Sequence, residues 1–111
     1  MSQRTPKLFV DDIKESIKKI EKYTKEISEK FFESDEKIID AVVRNLEIIG
    51  EAANKMPAEF KSKHKDIPWK KIVGMRNKVI HEYFGVDWEI LWDTIKEDIP
   101  KLKKQINKIK I

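Results

Sequence analysis

Apolar residues recur every three or four positions along nearly the whole chain, and this spacing restricts the fold more than any other feature. The repeat follows the turn of an α-helix and gives each segment one apolar stripe that must be buried against a neighbour. No segment alternates apolar and polar residues as a surface strand does. The pattern therefore predicts an all-α fold, an up-and-down bundle of four or five helices, formed by residues 1–111 as one domain.

The first two predicted helices are separated near Ser34. The first begins at Pro6 or Lys7, and its stripe consists of Val10, Ile13, Ile17, Ile20, Ile27 and Phe31. Ser34 is predicted to be the N-cap of the second helix, which continues to Met56, where Pro57 stops it. The second helix is apolar over more of its circumference than the first. This breadth indicates a central position or contact with a second chain.

A third helix is predicted after the connector formed by residues 57–68. Pro68 suits the first position of this helix, whose one side carries Trp69, Ile72, Val73, Arg76 and Ile80. Gly74 lowers helix stability by about 1 kcal/mol relative to alanine. A close helix crossing or backbone approach at Gly74 would explain why glycine stands there.

The fourth helix is predicted to begin after a break in the pattern at Gly85 and Val86. Asp87 is the expected N-cap of this helix. Its stripe runs from Leu91 to Ile109 and contains Pro100. A proline inside the stripe predicts either a kink or a break into a short fifth helix.

Composition excludes several classes of function. The chain has no cysteine and two histidines, so a disulfide framework, thiolate chemistry and a structural zinc site are not expected. No apolar run is long enough for a membrane span or for the core of a secretory signal. A soluble cytoplasmic protein without a metal or cofactor is the expectation. The net charge of +4 arises from interspersed charges of both signs, and it permits nucleic-acid binding without requiring it.

One stretch, residues 74–84, concentrates the groups that could carry chemistry. Arg76, His81 and Tyr83 provide a phosphate-binding guanidinium, a group that titrates near neutral pH and a phenol. In a continuous helix, at about 100° per residue, Arg76 and Tyr83 share one face, and Asn77 and His81 share another. Arg76 must then bend across to reach His81, unless the helix ends near His81 or two copies of the motif meet across a twofold axis.

These residue types suit cleavage of RNA without a metal. A base must take the proton of the 2′-hydroxyl group, an acid must protonate the leaving oxygen, and cations must stabilise the phosphorane. Histidine can perform either proton transfer, and arginine binds phosphate oxygens through its planar fork. Asn77 could orient His81 or bind substrate. Simpler interpretations stay open: His81 bonded to a backbone carbonyl, and Arg76 in a structural ion pair with Glu47 or Glu51.

The run Arg76-Asn77-x-x-x-His81-x-Tyr83 resembles the signature of HEPN domains, specifically the HepT-like branch, whose pattern is Arg, four residues, His, one residue, Tyr. Three further stretches are similar to the same family: residues 41–53, residues 67–75, and residues 86–92 followed by Ile99-Pro100. The similarity covers nearly the whole chain. Only the lysine-rich first helix and the C-terminal tail are non-specific.

The resemblance implies a particular function. HepT-like proteins are all-α toxins of type VII toxin–antitoxin pairs, form homodimers whose two motifs face each other in a cleft, and act as metal-independent endoribonucleases. Arg76 and His81 would be the catalytic pair, supported by Asn77, and attack by the 2′-hydroxyl group would leave a cyclic phosphate. The antitoxin would be a nucleotidyltransferase of the MntA type that transfers AMP from ATP to Tyr83. AMP would add bulk and negative charge beside a phosphate-binding site.

Two other functions are compatible with the sequence. The chain could be a non-catalytic helical subunit that binds a nucleotidyltransferase and presents substrate to it. It could also bind nucleic acid through its lysines, with steep salt dependence and no cleavage. Arg44 and Glu51 share a face of the second helix, where they could line the cleft, pair across a dimer or form a surface ion pair. They are not assigned to the catalytic group, and His64 is expected to be solvated.

Overall fold

Helix dominates the computed structural model, which describes residues 5–81 and 85–110. The predicted all-α fold is therefore confirmed. In the first half of the chain, two long helices pack along each other, α1 (Pro6–Thr24) and α3 (Glu36–Lys55), and the short helix α2 (Glu29–Ser34) connects them. Pro6 lies in the first turn of α1, where its missing N–H group is not needed.

The second half of the chain consists of shorter helices that pack on the first half. They are α4 (Ala58–Lys63), α5 (Trp69–Val73), α6 (Met75–Val79), α7 (Trp88–Asp93) and α8 (Ile99–Asn107). A short antiparallel ribbon, β1 (Ile80–His81) with β2 (Gly85–Val86), lies between α6 and α7. Both α5 and α6 contact α3, and α8 contacts α1. No described helix combines the length and the apolar character that crossing a membrane requires.

Two predicted boundaries in the first half are wrong, because serine and aspartate side chains divide the chain differently. Helix α1 ends at Thr24, and Ser28 caps the separate helix α2 by accepting a hydrogen bond from the Phe31 N–H group at 3.1 Å. Asp35, and not Ser34, caps α3, where its Oδ1 accepts a first-turn hydrogen bond of 2.9 Å. A carboxylate also interacts favourably with the positive end of the helix dipole, which favours aspartate over serine.

Pro100 disturbs the last helix, as predicted, and the disturbance takes the form of a π-helical segment. Asp87 caps α7 as predicted, with its Oδ1 accepting hydrogen bonds from two first-turn N–H groups at 3.1 Å. The helix then passes through a π-helix, Thr94–Asp98, into α8, whose first turn contains Pro100. Because proline donates no hydrogen bond and its ring crowds the preceding turn, a wider turn just before it relieves both conflicts.

The predicted apolar stripes form the core, with one exception on α2. Buried stripe residues on α1, α3 and the last helices include Val10, Ile13, Ile17, Ile20, Val42, Leu46, Ile49, Leu91, Ile95, Ile99, Leu102 and Ile106. Phe31, which was assigned to the first stripe, is 50% exposed. Phe32 is fully buried instead, with its ring centroid 5.1 Å from that of Trp92. Because α2 starts a new helix, the phase of the α1 stripe does not continue into it.

A close helix crossing exists at Gly50, whereas the sequence pattern placed it at Gly74. A β-carbon on Gly50 would lie 3.2 Å from the carbonyl oxygen of Val73, so α3 and α5 approach each other backbone to backbone. A β-carbon on Gly74 would have its nearest neighbour at 3.7 Å, an ordinary contact. Gly74 instead marks the break between α5 and α6, with φ of −87° and ψ of −1°.

Alanine substitutions should distinguish these two glycines. Gly50→Ala is expected to lower the free energy of unfolding by about 1 kcal/mol, because overpacking against α5 exceeds the gain in helix propensity. Gly74→Ala is expected to be neutral or to raise it by up to about 1 kcal/mol, since its φ and ψ suit alanine. Urea unfolding followed by circular dichroism measures both changes. Equal or reversed effects would show that the α3–α5 crossing has room for a methyl group.

Candidate active site

The motif segment changes from helix to extended chain within a few residues. Helix α6 ends at Val79, and the next residues form β1, in which His81 pairs with Gly85 of β2. The N–H group of Asp87 donates a 2.8 Å hydrogen bond to the carbonyl oxygen of Val79, which closes this hairpin at its base. The motif is therefore distributed over the end of a helix and the start of a hairpin.

This geometry overturns the arrangement predicted for a continuous helix. Asn77 and His81 do not share a helix face one turn apart, because the helix ends at Val79 and His81 belongs to β1. The shared face predicted for Arg76 and Tyr83 involves a residue outside the described ranges. Of the alternatives that the sequence left open, an end of the helix near His81 is the one observed.

Local sequence explains why the helix ends there. Val79 and Ile80 are both β-branched, which lowers helix propensity and favours extended backbone. Gly85 has φ of +78°, a conformation that L side chains rarely adopt, and its position in β2 allows the chain to return towards α7. The break in the apolar pattern noted at Gly85 and Val86 thus corresponds to the strand β2.

Four residues were predicted for the site, and the structure describes them to different extents. The side chains of Arg76 and Asn77 are described in full. His81 is described only in its backbone, and Tyr83 lies outside the described residues. The catalytic role predicted for His81 and the modification predicted for Tyr83 therefore stay predictions.

Arg76 lies at the surface between α6 and α3, with part of its guanidinium turned towards the protein. Its Nη1 donates to Asn77 Oδ1 at 3.3 Å, and its Nε lies 4.0 Å from Glu47 Oε2. Nε is buried without a hydrogen bond, although the side chain as a whole is 43% exposed. An ion pair this long and this exposed contributes only about 0–1 kcal/mol. It can hold the guanidinium in place and still yield to a phosphate.

Glu47 lies within ion-pair distance of two arginines, Arg76 and the more exposed Arg44. The same Oε2 lies 3.9 Å from Arg44 Nη1, one turn earlier on α3. The simple interpretation of Arg76, an ion pair with Glu47, is therefore observed, and Arg44 forms a surface pair with Glu47. Asn77, predicted to support His81, contacts Arg76 in the described structure.

A shallow cleft of about 200 Å³ lies beside Arg76, between α3 and the α5–α6 segment. It is called the Arg76 cleft, and it is lined by Glu47, Gly50, Glu51, Asn54, Val73, Arg76 and Asn77. The α3 members follow the spacing i, i+3, i+4, i+7, which places them on one helix face. Asn54 was missed in the sequence, although this polar face next to the apolar stripe was the signal that could have found it.

A second carboxylate connects α5 with α6, the short helix that carries Arg76 and Asn77. Asp98, at the end of the π-helical segment, has Oδ1 3.8 Å from Lys71 Nζ on α5 and Oδ2 3.4 Å from Lys78 Nζ on α6. Its side chain is only 16% exposed, so these pairs are better shielded from water than those of Glu47. The contact spans the Gly74 break and joins residues far apart in sequence, which no local pattern could have indicated.

Comparisons with known proteins place the chain in a family. Residues 13–109 match the family model described as Ribonuclease HepT-like. The chain is 48% identical over 108 residues to a protein of Thermococcus cleftensis named "Probable ribonuclease HepT", covering 97% of this chain and 98% of that one. It is 45% identical over 106 residues to one protein of Caldanaerobacter subterraneus subsp. tengcongensis and one of Methanocaldococcus jannaschii, both of which are named as RNases. These matches cover 96% of this chain and 95% and 97% of the relatives. No solved structure matches the chain.

Proposed function

The chain belongs to the HepT-like ribonuclease family, and we propose that it is a metal-independent endoribonuclease that acts as the toxin of a toxin–antitoxin pair. The observation that carries the proposal is the partly exposed guanidinium of Arg76. It lies at the edge of a solvent-open cleft and is restrained by a 3.3 Å hydrogen bond to Asn77 and a weak pair with Glu47. A cation held in this way suits an incoming phosphate.

Each group in the motif has a part in the proposed reaction. Arg76 binds the non-bridging oxygens of the scissile phosphate and stabilises the charge that grows on them as the phosphorane forms. His81 accepts the proton of the 2′-hydroxyl group, whose oxygen forms the new bond to phosphorus. The bond from phosphorus to the 5′-oxygen breaks, and that oxygen takes a proton from an acid. The products are a 2′,3′-cyclic phosphate and a free 5′-hydroxyl group.

A homodimer would supply the groups that one chain lacks. The reaction needs a base and an acid, whereas one copy of the motif has a single histidine. Two motifs facing each other across a twofold axis would bring two histidines and two arginines to one phosphate. Ile38 and Val43 on α3 are apolar and only partly buried within one chain, which is compatible with a further apolar contact.

The proposed control of the toxin acts on Tyr83. An antitoxin of the MntA nucleotidyltransferase type would transfer AMP from ATP to the Tyr83 hydroxyl group, releasing pyrophosphate. Tyr83 is two residues from His81, so the added phosphodiester would lie within the motif. Its negative charge and its bulk would oppose the binding of an RNA phosphate beside Arg76.

The test uses the purified chain, free of any partner protein, with an RNA oligonucleotide in buffer containing EDTA. We expect cleavage and a cyclic phosphate on the upstream product, identified by mass. Once the cut is mapped, the same oligonucleotide with 2′-deoxyribose at that position should resist cleavage, because the attacking oxygen is absent.

Other outcomes would contradict the proposal in distinct ways. Cleavage that requires added metal, or equal cleavage of the deoxy-substituted strand, would rule out the 2′-hydroxyl mechanism. A chain that cuts no RNA and still binds the nucleotidyltransferase would instead be a non-catalytic subunit that presents substrate to its partner.

A further inference from the structure

A lysine-rich groove lies on the surface formed by the end of α4, the following connector and the start of α5. It has a volume of about 670 Å³ and is lined by Lys61, Lys65, Pro68, Trp69, Lys70 and Lys71. This set is called the lysine groove. Four of its six lining residues are lysines and none is acidic. An open surface with this lining attracts an extended polyanion.

The charges of the lysine groove are largely uncompensated. Among the described residues, Lys61, Lys65 and Lys70 form no ion pair, and Lys71 has only the 3.8 Å contact with Asp98. The nearby Lys63, by contrast, points elsewhere and pairs with Glu59 at 3.4 Å. Along residues 7–55, by contrast, the lysines are interspersed with acids, so the groove carries a more concentrated positive charge than that half of the chain.

The floor of the groove is held in place before any ligand arrives. Trp69 is buried, and its Nε1 donates to the carbonyl oxygen of His64 at 3.0 Å. The ring of Phe60 lies 6.2 Å from that of Trp69 and 4.4 Å from that of His64. The expectation that His64 is solvated is wrong: its side chain is half-buried and, through the contact with Phe60, helps to fix the connector. Because this floor holds the backbone of the lysines in position, binding of a ligand costs less conformational entropy.

The lysine groove and the Arg76 cleft are neighbours on the same helix. Lys70 lines the groove, and Val73, three residues later on α5, lines the cleft. Side chains three apart on a helix have β-carbons about 5–6 Å apart. A nucleic-acid strand that places one phosphate beside Arg76 can therefore continue onto the lysine groove without leaving the surface.

We propose that the lysine groove binds the backbone phosphates of the substrate RNA on one side of the cut. This inference rests on the proposed function, since it extends the path of the same substrate. Lysine is a flexible point charge and reads no base, so the groove would contribute affinity without sequence preference. Its contribution should fall steeply as salt rises, because binding releases the counterions of the RNA.

The experiment compares two triple variants with the same change in charge. The first is Lys61→Gln, Lys65→Gln and Lys70→Gln in the groove. The matched control is Lys18→Gln, Lys22→Gln and Lys25→Gln, three exposed lysines on α1 and at its C-cap, without ion pairs among the described residues. Urea unfolding should confirm that both variants are folded.

The groove variant should affect long substrates through KM alone. With RNA that extends well beyond the cut, we expect KM to rise about tenfold near physiological salt, and the slope of log affinity against log salt to fall by about 2. The value of kcat should stay within twofold of wild type. A dinucleoside monophosphate has no phosphate beyond the cleft, so the groove variant should cut it as well as wild type does. The control variant should match wild type on both substrates.

The failure of this inference can be separated from the failure of the proposed function. If both triple variants lose affinity for long RNA to the same extent, the inference about the groove is wrong. The proposed ribonuclease function is not affected by that result. If wild type cuts nothing, binding of fluorescent RNA at several salt concentrations still compares the variants. If the groove variant binds RNA like wild type and loses the nucleotidyltransferase, the surface belongs to a protein partner and the inference is wrong.

Discussion

Arg76→Ala is expected to reduce kcat/KM for RNA cleavage by about 10²–10³-fold, the usual loss when one donor to a developing oxyanion is removed. Stability should change by less than about 1 kcal/mol, because the ion pair with Glu47 is long and exposed on both sides. Arg76→Lys keeps the charge and loses the planar fork, so it should recover only part of the activity. Initial rates on a mapped RNA substrate, with urea unfolding of each variant, measure these effects.

Arg44→Ala is the matched control for this prediction. Arg44 pairs with the same carboxylate oxygen of Glu47 and is more exposed than Arg76, yet it does not line the Arg76 cleft. It should therefore cut RNA within about twofold of wild type, as expected for a surface charge. If Arg76→Ala and Arg44→Ala lose activity equally, direct contact between Arg76 and phosphate is not the cause. The loss would then come from the combined positive charge of the two arginines around Glu47.

His81→Ala is expected to abolish growth arrest in cells that express the chain, together with the RNA fragments that accompany it. Loss of a general acid or base lowers the rate by about 10²–10⁴-fold, which is enough to remove toxicity. Tyr83→Phe should stay toxic, because the phenol is proposed to be a control point and not a catalyst. Co-expression of the nucleotidyltransferase should then rescue cells that express the wild type, because Tyr83 can be modified. It should not rescue cells that express Tyr83→Phe, which has no hydroxyl group to modify.

Growth curves and total RNA on a gel measure this prediction. A Tyr83→Phe variant as harmless as His81→Ala would show that the phenol takes part in the chemistry. If wild type itself harms neither cells nor RNA, the ribonuclease toxin is excluded, and the non-catalytic subunit becomes the better account.

The fold was predictable to the extent that it depends on local pattern. The stripes on α1, α3 and α8 indicated the core because each long helix repeats its apolar residues in phase. The pattern failed at Phe31 and Phe32, where a capping serine at Ser28 starts a new helix with a new phase. It also assigned the helix crossing to Gly74 and missed Gly50, since no local signal tells which glycine faces another backbone.

For the candidate site, the motif named residues but could not supply their arrangement, and the catalytic roles of these residues stay predictions. The pair between Arg76 and Glu47, one of the open interpretations, is observed. The end of α6 at Val79 depends on the hairpin that follows, and helix geometry alone extended the helix too far. Asp98 escaped notice because its partners are set by tertiary packing across the Gly74 break.

The break at Gly74 affects how the molecule unfolds. Helices α5 and α6 have five residues each, whereas an isolated helix needs about 12–15 residues to be even marginally populated in water. The segment that presents Arg76 therefore has no structure of its own and depends on α3 beneath it and on Asp98 beside it. Local opening of this segment requires far less free energy than melting α1 and α3. Partial unfolding of this segment would thus remove the proposed activity while most of the helical content persists.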